Sequence, residues 1–251
     1  MMAAPGTDLY REKAKPIASP SGRSAIWRSL VDLKVASILL SIHRILSTAR
    51  GAVLEVGCGN QPYRFLFKDV VYRAIDHSRS EQFTFVRKPD VTYFDGSIFP
   101  VDDSSHDLVF HSEVLEHVED PEFFLKECHR ILRPRGCLVF TAPLNFRFHY
   151  IPYDYFRFTP SGLRLLLTKA GFGDIEITPQ GTDITTVCHK ILCLFFRWLR
   201  EDVGVLLRAS RLVLTLLCLP FLAGVHLTGL LSLLGIGSSD DPLGYRVVAY
   251  K

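Results

Sequence analysis

The chain has 251 residues, of which 48% are hydrophobic and 22% charged, with 17 glycines and 14 prolines. That length holds one catalytic domain with an appendage, and the composition excludes a disordered chain, a collagen-like repeat and a coiled coil. A net charge of +3 argues against a general nucleic-acid binder, which needs a concentrated basic face, so no nucleic-acid partner is expected. Mean hydropathy is nonetheless positive, at +0.18, and its source is local: Leu212 to Ser239 carries no charged side chain.

Charge is unevenly spread. Residues 1–50 hold eight basic side chains against three acidic ones, a net of +5. Lys190, Arg197, Arg200, Arg208 and Arg211 make a second basic stretch against Glu201 and Asp202. Both stretches are rich in apolar residues, which suits an anionic membrane surface; solvated amphipathic faces are the plainer alternative. The six cysteines show no C-x-x-C pair and no Cys/His spacing typical of zinc, so they read as reduced thiols and no metal site is expected. Residues 1–22 are polar, broken by Pro5, Pro16 and Pro20, and lack the apolar core of a secretory signal. A flexible start and a cytoplasmic location, free or at the cytoplasmic face of a membrane, follow as expectations.

Apolar spacing predicts a helix over Ser24–Ser47, with Gly51 just past its end. Strands are expected at Ala52–Val56, Val71–Ile75, Val91–Phe94, Asp107–His111, Cys137–Ala142, Asp174–Thr178 and Gly244–Tyr250, with helices at Pro121–Leu132 and Ser161–Ala170. Such alternation predicts an α/β fold: a doubly wound, mostly parallel seven-stranded sheet with its ligand at the C-terminal strand ends. The domain would comprise residues 23–182 and 240–251, with residues 183–239 inserted before the last strand.

The first strand runs into Glu55-Val56-Gly57-Cys58-Gly59. Glycines there let backbone approach a ligand, and the carboxylate can recruit an amino group or a cation. Pro62 stands where a dinucleotide fingerprint has its third glycine, which lowers an oxidoreductase reading. Asp76 ends the second strand, where a carboxylate can accept from both hydroxyls of a ribose, and Asp95 ends the third, where it can accept from an adenine amino group. Three acidic strand ends at one crevice are more specific than any one alone.

Together with Glu55-x-Gly57-x-Gly59, Asp76 and Asp95-Gly96, the runs Phe99–Asp107, Glu113-Val-Leu-Glu116-His117-Val118 and Leu132-Arg-Pro-Arg-Gly136 resemble class I S-adenosylmethionine-dependent methyltransferases of the type 11 kind, over about residues 50–178. Pro152-Tyr153-Asp154-Tyr155-Phe156-Arg157-Phe158-Thr159 and the ending Asp241–Ala249 are similar to a bacterial subgroup associated with cell-surface glycan or lipid pathways. The resemblance implies S-adenosyl-L-methionine as cofactor: Glu55, Gly57 and Gly59 at its methionine end, Asp76 at the ribose, Asp95, Gly96 and Ser97 at the adenine, and His111 in the same set. Gln61 stands where the family often has glycine and is expected to narrow the loop.

Methyl transfer to oxygen or nitrogen calls for positioning, desolvation and a base. His149 is the favoured base, with Tyr153, Asp154, Tyr155 and Arg157 shaping the acceptor pocket; the plainer reading makes the aromatics a lid and Arg157–Asp154 a structural pair. His117 is assigned to packing near the cofactor.

The uncharged stretch is long enough for a transmembrane candidate. If the strands on either side share one sheet, however, the insertion must cross a bilayer an even number of times, and only one segment is long enough. Pro220 is expected to split the run, giving a re-entrant or in-plane helical hairpin with Arg208 and Arg211 at the headgroups. A membrane-surface enzyme acting on a hydrophobic or lipid-linked acceptor follows. The alternatives are a soluble small-molecule acceptor with the insertion as a homodimer interface or cap, and an inactive membrane-held scaffold.

Overall fold

The structure is a computed structural model that describes residues 24–83, 87–200 and 205–251; the expected flexible start at 1–22 lies outside the described residues. Strands β1 (Gly51–Val56), β2 (Val70–His77), β3 (Val91–Phe94), β4 (His106–Ser112), β5 (Leu132–Pro143), β6 (Gly173–Gln180) and β7 (Gly244–Tyr250) form one sheet in the order β3-β2-β1-β4-β5-β7-β6. The first five pair in parallel, and β7 lies antiparallel between β5 and β6. The described helices are α1 (Ser24–Ser29), α2 (Leu33–Ser47), α3 (Pro121–Ile131), α4 (Pro160–Lys169), α5 (Asp183–Arg200) and α6 (Val205–Ser232). The doubly wound expectation holds.

The two-residue period of the strands divides the core. Val53 and Phe110 pack with Ile38, Ile42 and Leu46 of α2 on one face. Leu54, Val56 and Val109 pack with Leu125 and Ile131 of α3 and Leu163 and Leu167 of α4 on the other. Asp120 and Thr159 cap α3 and α4, each followed by a proline at the first helical position, where a missing N–H costs nothing.

The helix expected over Ser24–Ser47 is broken in two. Asp32 is extended, with φ −122° and ψ 104°, and its carboxylate accepts from the Lys34 and Val35 amides at 3.0 and 3.4 Å. Arg28 Nε reaches the same carboxylate at 3.3 Å. A capping aspartate thus starts a new helix where apolar periodicity alone shows none.

Between β6 and β7 the chain forms a hairpin of α5 and α6 whose base is closed. Gln180 faces Gly244 in the β6–β7 register, the Asp183 amide donates to the Ser238 carbonyl at 2.9 Å, and Thr182 Oγ1 donates to the Ile236 carbonyl at 2.8 Å. Leu33 of α2 packs with Cys188, Leu192 and Leu222 to anchor the hairpin. Gly229 permits that approach, because a Cβ there would lie 2.3 Å from Leu33 Cδ1. His226 Nε2 hydrogen-bonds the Leu30 carbonyl at 2.7 Å.

Pro220 does not split the run as expected: α6 continues through it for 28 residues. A proline removes one amide from the ladder, and the turns on either side keep their own bonds. The 20 residues Val213–Ser232 have a mean hydropathy of 2.0 and only 11% of the stretch is buried. By length and composition this is the one helix among the described residues able to cross a membrane. Its outer face exposes Leu214, Leu217, Phe221 and Leu231, and α1 adds Ile26 and Trp27. The side chains of Arg208 and Arg211 lie outside those described, so the expected headgroup contacts do too.

Leu33 is fully buried at the joint between hairpin and sheet domain. Leu33→Ala is expected to cost about 2–5 kcal/mol in equilibrium urea unfolding and to speed amide exchange along α5 more than along β1 or β4.

Candidate functional site

β1 ends in Val56, and the chain then turns away through Gly57, whose φ is +65°. A Cβ at Gly57 would meet Val114 at 2.7 Å, so only glycine fits between the first and fourth strand ends. The Gly59 amide donates to Asp76 Oδ2 at 2.9 Å and the His77 amide to Asp76 Oδ1 at 2.7 Å. Burial pushes the Asp76 carboxyl up to about 6 against these two hydrogen bonds. Asp95 remains exposed and accepts from the Ser97 hydroxyl and, at 3.0 Å, from the Ser97 amide, which together hold its carboxyl below the ordinary range.

Gly57, Gly59, Asp76, Asp95, Gly96 and Ser97 line a cavity of about 440 Å³ above the strand ends, a volume suited to a small-molecule ligand. Phe94, Phe99 and Phe124 supply apolar wall, and Glu113, His117, Tyr150, Tyr153 and Tyr155 line the cavity as well. Glu113 pairs with the buried Lys34 at 3.0 Å and accepts from Thr141 Oγ1 at 3.0 Å. The acidic strand ends therefore share one cavity with the loop after β5.

That loop is tied down from both sides. The Tyr155 and Phe156 amides donate to the Glu116 carbonyl at 2.9 and 3.3 Å. Arg157 grips Asp154 with two nitrogens, at 2.6 and 2.9 Å, and also donates to the Phe146 and Arg147 carbonyls. Burial works to raise the Asp154 carboxyl, but hydrogen bonds from His149 and Arg157 outweigh it and hold the group well below the usual range. At the far side, Lys190 Nζ of α5 donates to Asn145 Oδ1 at 2.9 Å, and the His189 ring stacks near Phe146 at 6.2 Å.

Beneath the loop lies a polar cluster. His117 Nε2 is 3.1 Å from His149 Nε2 and 3.6 Å from Glu116 Oε1, which is itself 4.0 Å from His149 Nε2. Glu116 is fully buried, which with the nearby Glu113 charge raises its carboxyl well above the ordinary value. Burial and the neighbouring His149 lower His117 to about 4. These three side chains bring metal-ligating atoms within 4.8 Å of one another.

Several sequence expectations shift. His149 and Asp154 do not line the cavity: His149 sits behind His117, and Asp154 is committed to Arg157 and to the His149 amide at 2.9 Å. His117, assigned to packing, is the histidine on the cavity wall, and Tyr153 lines it as expected. His111 does not line the cavity: it is fully buried, stacked on Phe140 at 4.5 Å, and burial lowers it to about 3. The strand pleat sends Phe110 to the α2 face and His111 into the α3 face. Glu55 also lies behind the wall, hydrogen-bonded by the Tyr72 hydroxyl and raised to about 7 by burial. Gln61 does not narrow the cavity: at φ +55° its side chain turns to Lys88 Nζ, 2.8 Å away. Sequence reasoning missed Glu116 as a site residue; its signal was a carboxylate beside His117 in an otherwise apolar turn.

A methyltransferase-domain family matches residues 54–140 of the chain. The tRNA U34 carboxymethyltransferase of Aliarcobacter butzleri is 31% identical over 210 residues, covering 71% of this chain and 68% of that protein. The "Probable S-adenosylmethionine-dependent methyltransferase" of Mycolicibacterium smegmatis is 32% identical over 137 residues, 50% of this chain and 53% of its own length. The chain spans about half to three fifths of the mycobacterial relatives it matches. In fold it is similar to a SAM dependent methyltransferase from Archaeoglobus fulgidus, with a TM-score of 0.54 at 18% identity, covering 88% of this chain and 95% of that one. The matched segment runs from β1 to β5 and carries the glycine turn and both acidic strand ends, and on these likenesses the chain belongs to the class I S-adenosylmethionine-dependent methyltransferases.

Proposed function

We propose that the chain transfers a methyl group from S-adenosylmethionine to a hydroxyl of a hydrophobic acceptor held at a membrane surface. The residues present fit the cofactor: Asp76 offers carboxylate oxygens aimed by two backbone amides, and the Gly57 turn leaves a cradle that a Cβ would fill. In this reading Asp76 holds the ribose, Asp95 and Ser97 the adenine, and Gly57 and Gly59 the methionine end. Bound there, the cofactor supplies an activated methyl on a sulfonium. Everything else falls to the chain: the phenylalanine wall and the tyrosines exclude water, and the cluster of His117, Glu116 and His149 promotes loss of the acceptor proton. Arg157 and Asp154 position the loop and do not touch the acceptor.

The observation that carries the membrane part is mechanical continuity. α5 of the apolar hairpin holds, through Lys190 and His189, the loop that brings Tyr150 and Tyr153 to the cavity. An exposed apolar surface of this extent marks an interaction site, and the basic, apolar-rich flanks suit anionic lipid. The likeness of residues 152–159 and 241–249 to a lipid- and glycan-associated subgroup supports the same acceptor class.

Two outcomes test this. An ionised Asp76 accepts from ribose hydroxyls, whereas its protonated form loses that charge-assisted acceptor as pH falls through about 6. Calorimetry is therefore expected to show affinity for S-adenosylmethionine falling about tenfold between about pH 7.5 and about pH 5, with Asp76→Asn weak and flat across the range. A flat wild-type profile would remove Asp76 from the ribose. For the surface, the combined Leu214→Glu, Leu217→Glu and Phe221→Glu substitutions lie on one exposed face, where each apolar side chain contributes about 1.5–3 kcal/mol on burial. Sedimentation with anionic vesicles is expected to drop at least about tenfold while cofactor binding persists; unchanged sedimentation would contradict the membrane reading.

A further inference from the structure

We infer that Glu116, His117 and His149 form a binding site for a first-row divalent metal ion, reached from the cavity. The three atoms Glu116 Oε1, His117 Nε2 and His149 Nε2 make a triangle with sides of 3.1, 3.6 and 4.0 Å. Its centre lies about 2.1 Å from each corner, the bond length of zinc to imidazole nitrogen and carboxylate oxygen and too short for calcium.

The lone pairs point the right way. His117 Nδ1 is 2.8 Å from the Tyr153 carbonyl; a carbonyl only accepts, so Nδ1 carries the proton and Nε2 is bare. His149 Nδ1 faces Asp154 Oδ2 at 3.4 Å, and Arg157 keeps that carboxylate ionised. That contact is not a hydrogen bond; a proton on Nδ1, facing the carboxylate, leaves His149 Nε2 bare for an ion. The two Nε2 atoms thus face each other at hydrogen-bond distance, 3.1 Å, beside a carboxyl group that is 0% exposed and has no hydrogen-bond partner on either oxygen. A buried carboxylate without partners is costly. A single proton can bridge the two nitrogens but leaves the carboxylate alone; a divalent cation satisfies all three. Two imidazoles and one carboxylate are a donor set for zinc, manganese, iron or cobalt, with further coordination left open. The Tyr153 carbonyl accepts from His117, and Asp154 lies 3.4 Å from His149 Nδ1, in the outer positions that orient metal-binding histidines.

His117 lines the cavity, so the open position is available to an acceptor oxygen. There the ion lowers the pKa of the acceptor hydroxyl, whose proton leaves to water. The oxygen forms its bond to the methyl carbon as the carbon–sulfur bond breaks, and the electron pair returns to sulfur, leaving a neutral thioether. This role rests on the methyl-transfer reading above; ion binding does not.

The test uses tag-free full-length chain, stripped with a chelator and titrated with Co²⁺. One equivalent is expected to bind with visible d–d absorption and to shift the Nε2 resonances of two histidines. Glu116→Ala and His149→Ala are each expected to weaken binding at least about tenfold, with cofactor binding retained as the sign of an intact fold. Should neither variant fold, the wild type decides: absence of saturable Co²⁺ binding overturns the site, as does binding unchanged in folded variants. Methyl transfer that continues at full rate in the stripped protein overturns the catalytic role. A bound ion without any methyl transfer upholds the site and counts instead against the functional reading.

Discussion

The antiparallel placement of β7 between β5 and β6 is the constraint on which the rest depends. Because Gln180 and Gly244 are register neighbours, everything between them must leave and return at one corner of the sheet. The 63 intervening residues can satisfy that only as a closed excursion, and the α5–α6 hairpin, sealed by Asp183–Ser238 and Thr182–Ile236, is that excursion. The corner is also where the chain leaves β5 toward Asn145, so α5 lands beside the loop that closes the cavity. An apolar surface and a ligand cavity are thereby joined by a few polar and ring contacts.

The cavity has two kinds of lining. Carboxylates at the strand ends are met by backbone amides, an arrangement suited to hydroxyl and amino groups of a nucleoside. Phenyl and phenol rings exclude water above a buried cluster in which Glu116, with neither a hydrogen bond nor exposure, has its carboxyl raised well above the ordinary value. Low local dielectric makes such a cluster effective on a reacting proton or on a cation, and expensive without either. The ion pair of Arg157 with Asp154 carries the loop's position, which frees the tyrosines and His117 to face the ligand.

Much of this was legible in the sequence because it depends on local rules. Strand ends that finish in Asp76 and Asp95, the Gly57 turn, and the proline-started helices after Asp120 and Thr159 all follow from residues close to one another in the chain. The misreadings have two causes, competing local signals and contacts between distant residues. Asp32 capping a new helix competes with an apolar period that runs straight across it. Pro220 reads as a stop, yet the flanking turns carry the helix past it. His111 and His149 look alike as strand-end histidines. Only the pleat and the Glu116–Tyr155 strap decide that one enters the core and the other lies beneath His117. The proposed metal-ligand triad joins two adjacent residues to one 32 positions away, a separation no zinc-type spacing describes, so cysteine and histidine intervals carry no sign of it.

The most direct test of the central claim is to incubate the full chain with methyl-labelled S-adenosylmethionine and a whole-cell extract, then to separate lipid-extractable from water-soluble label. Label is expected in the lipid-extractable fraction, in an acid-stable linkage to oxygen, and lost in the Asp76→Asn variant. Label confined to the water-soluble fraction would contradict the membrane acceptor, and no transfer at all by cofactor-bound protein would contradict the enzyme.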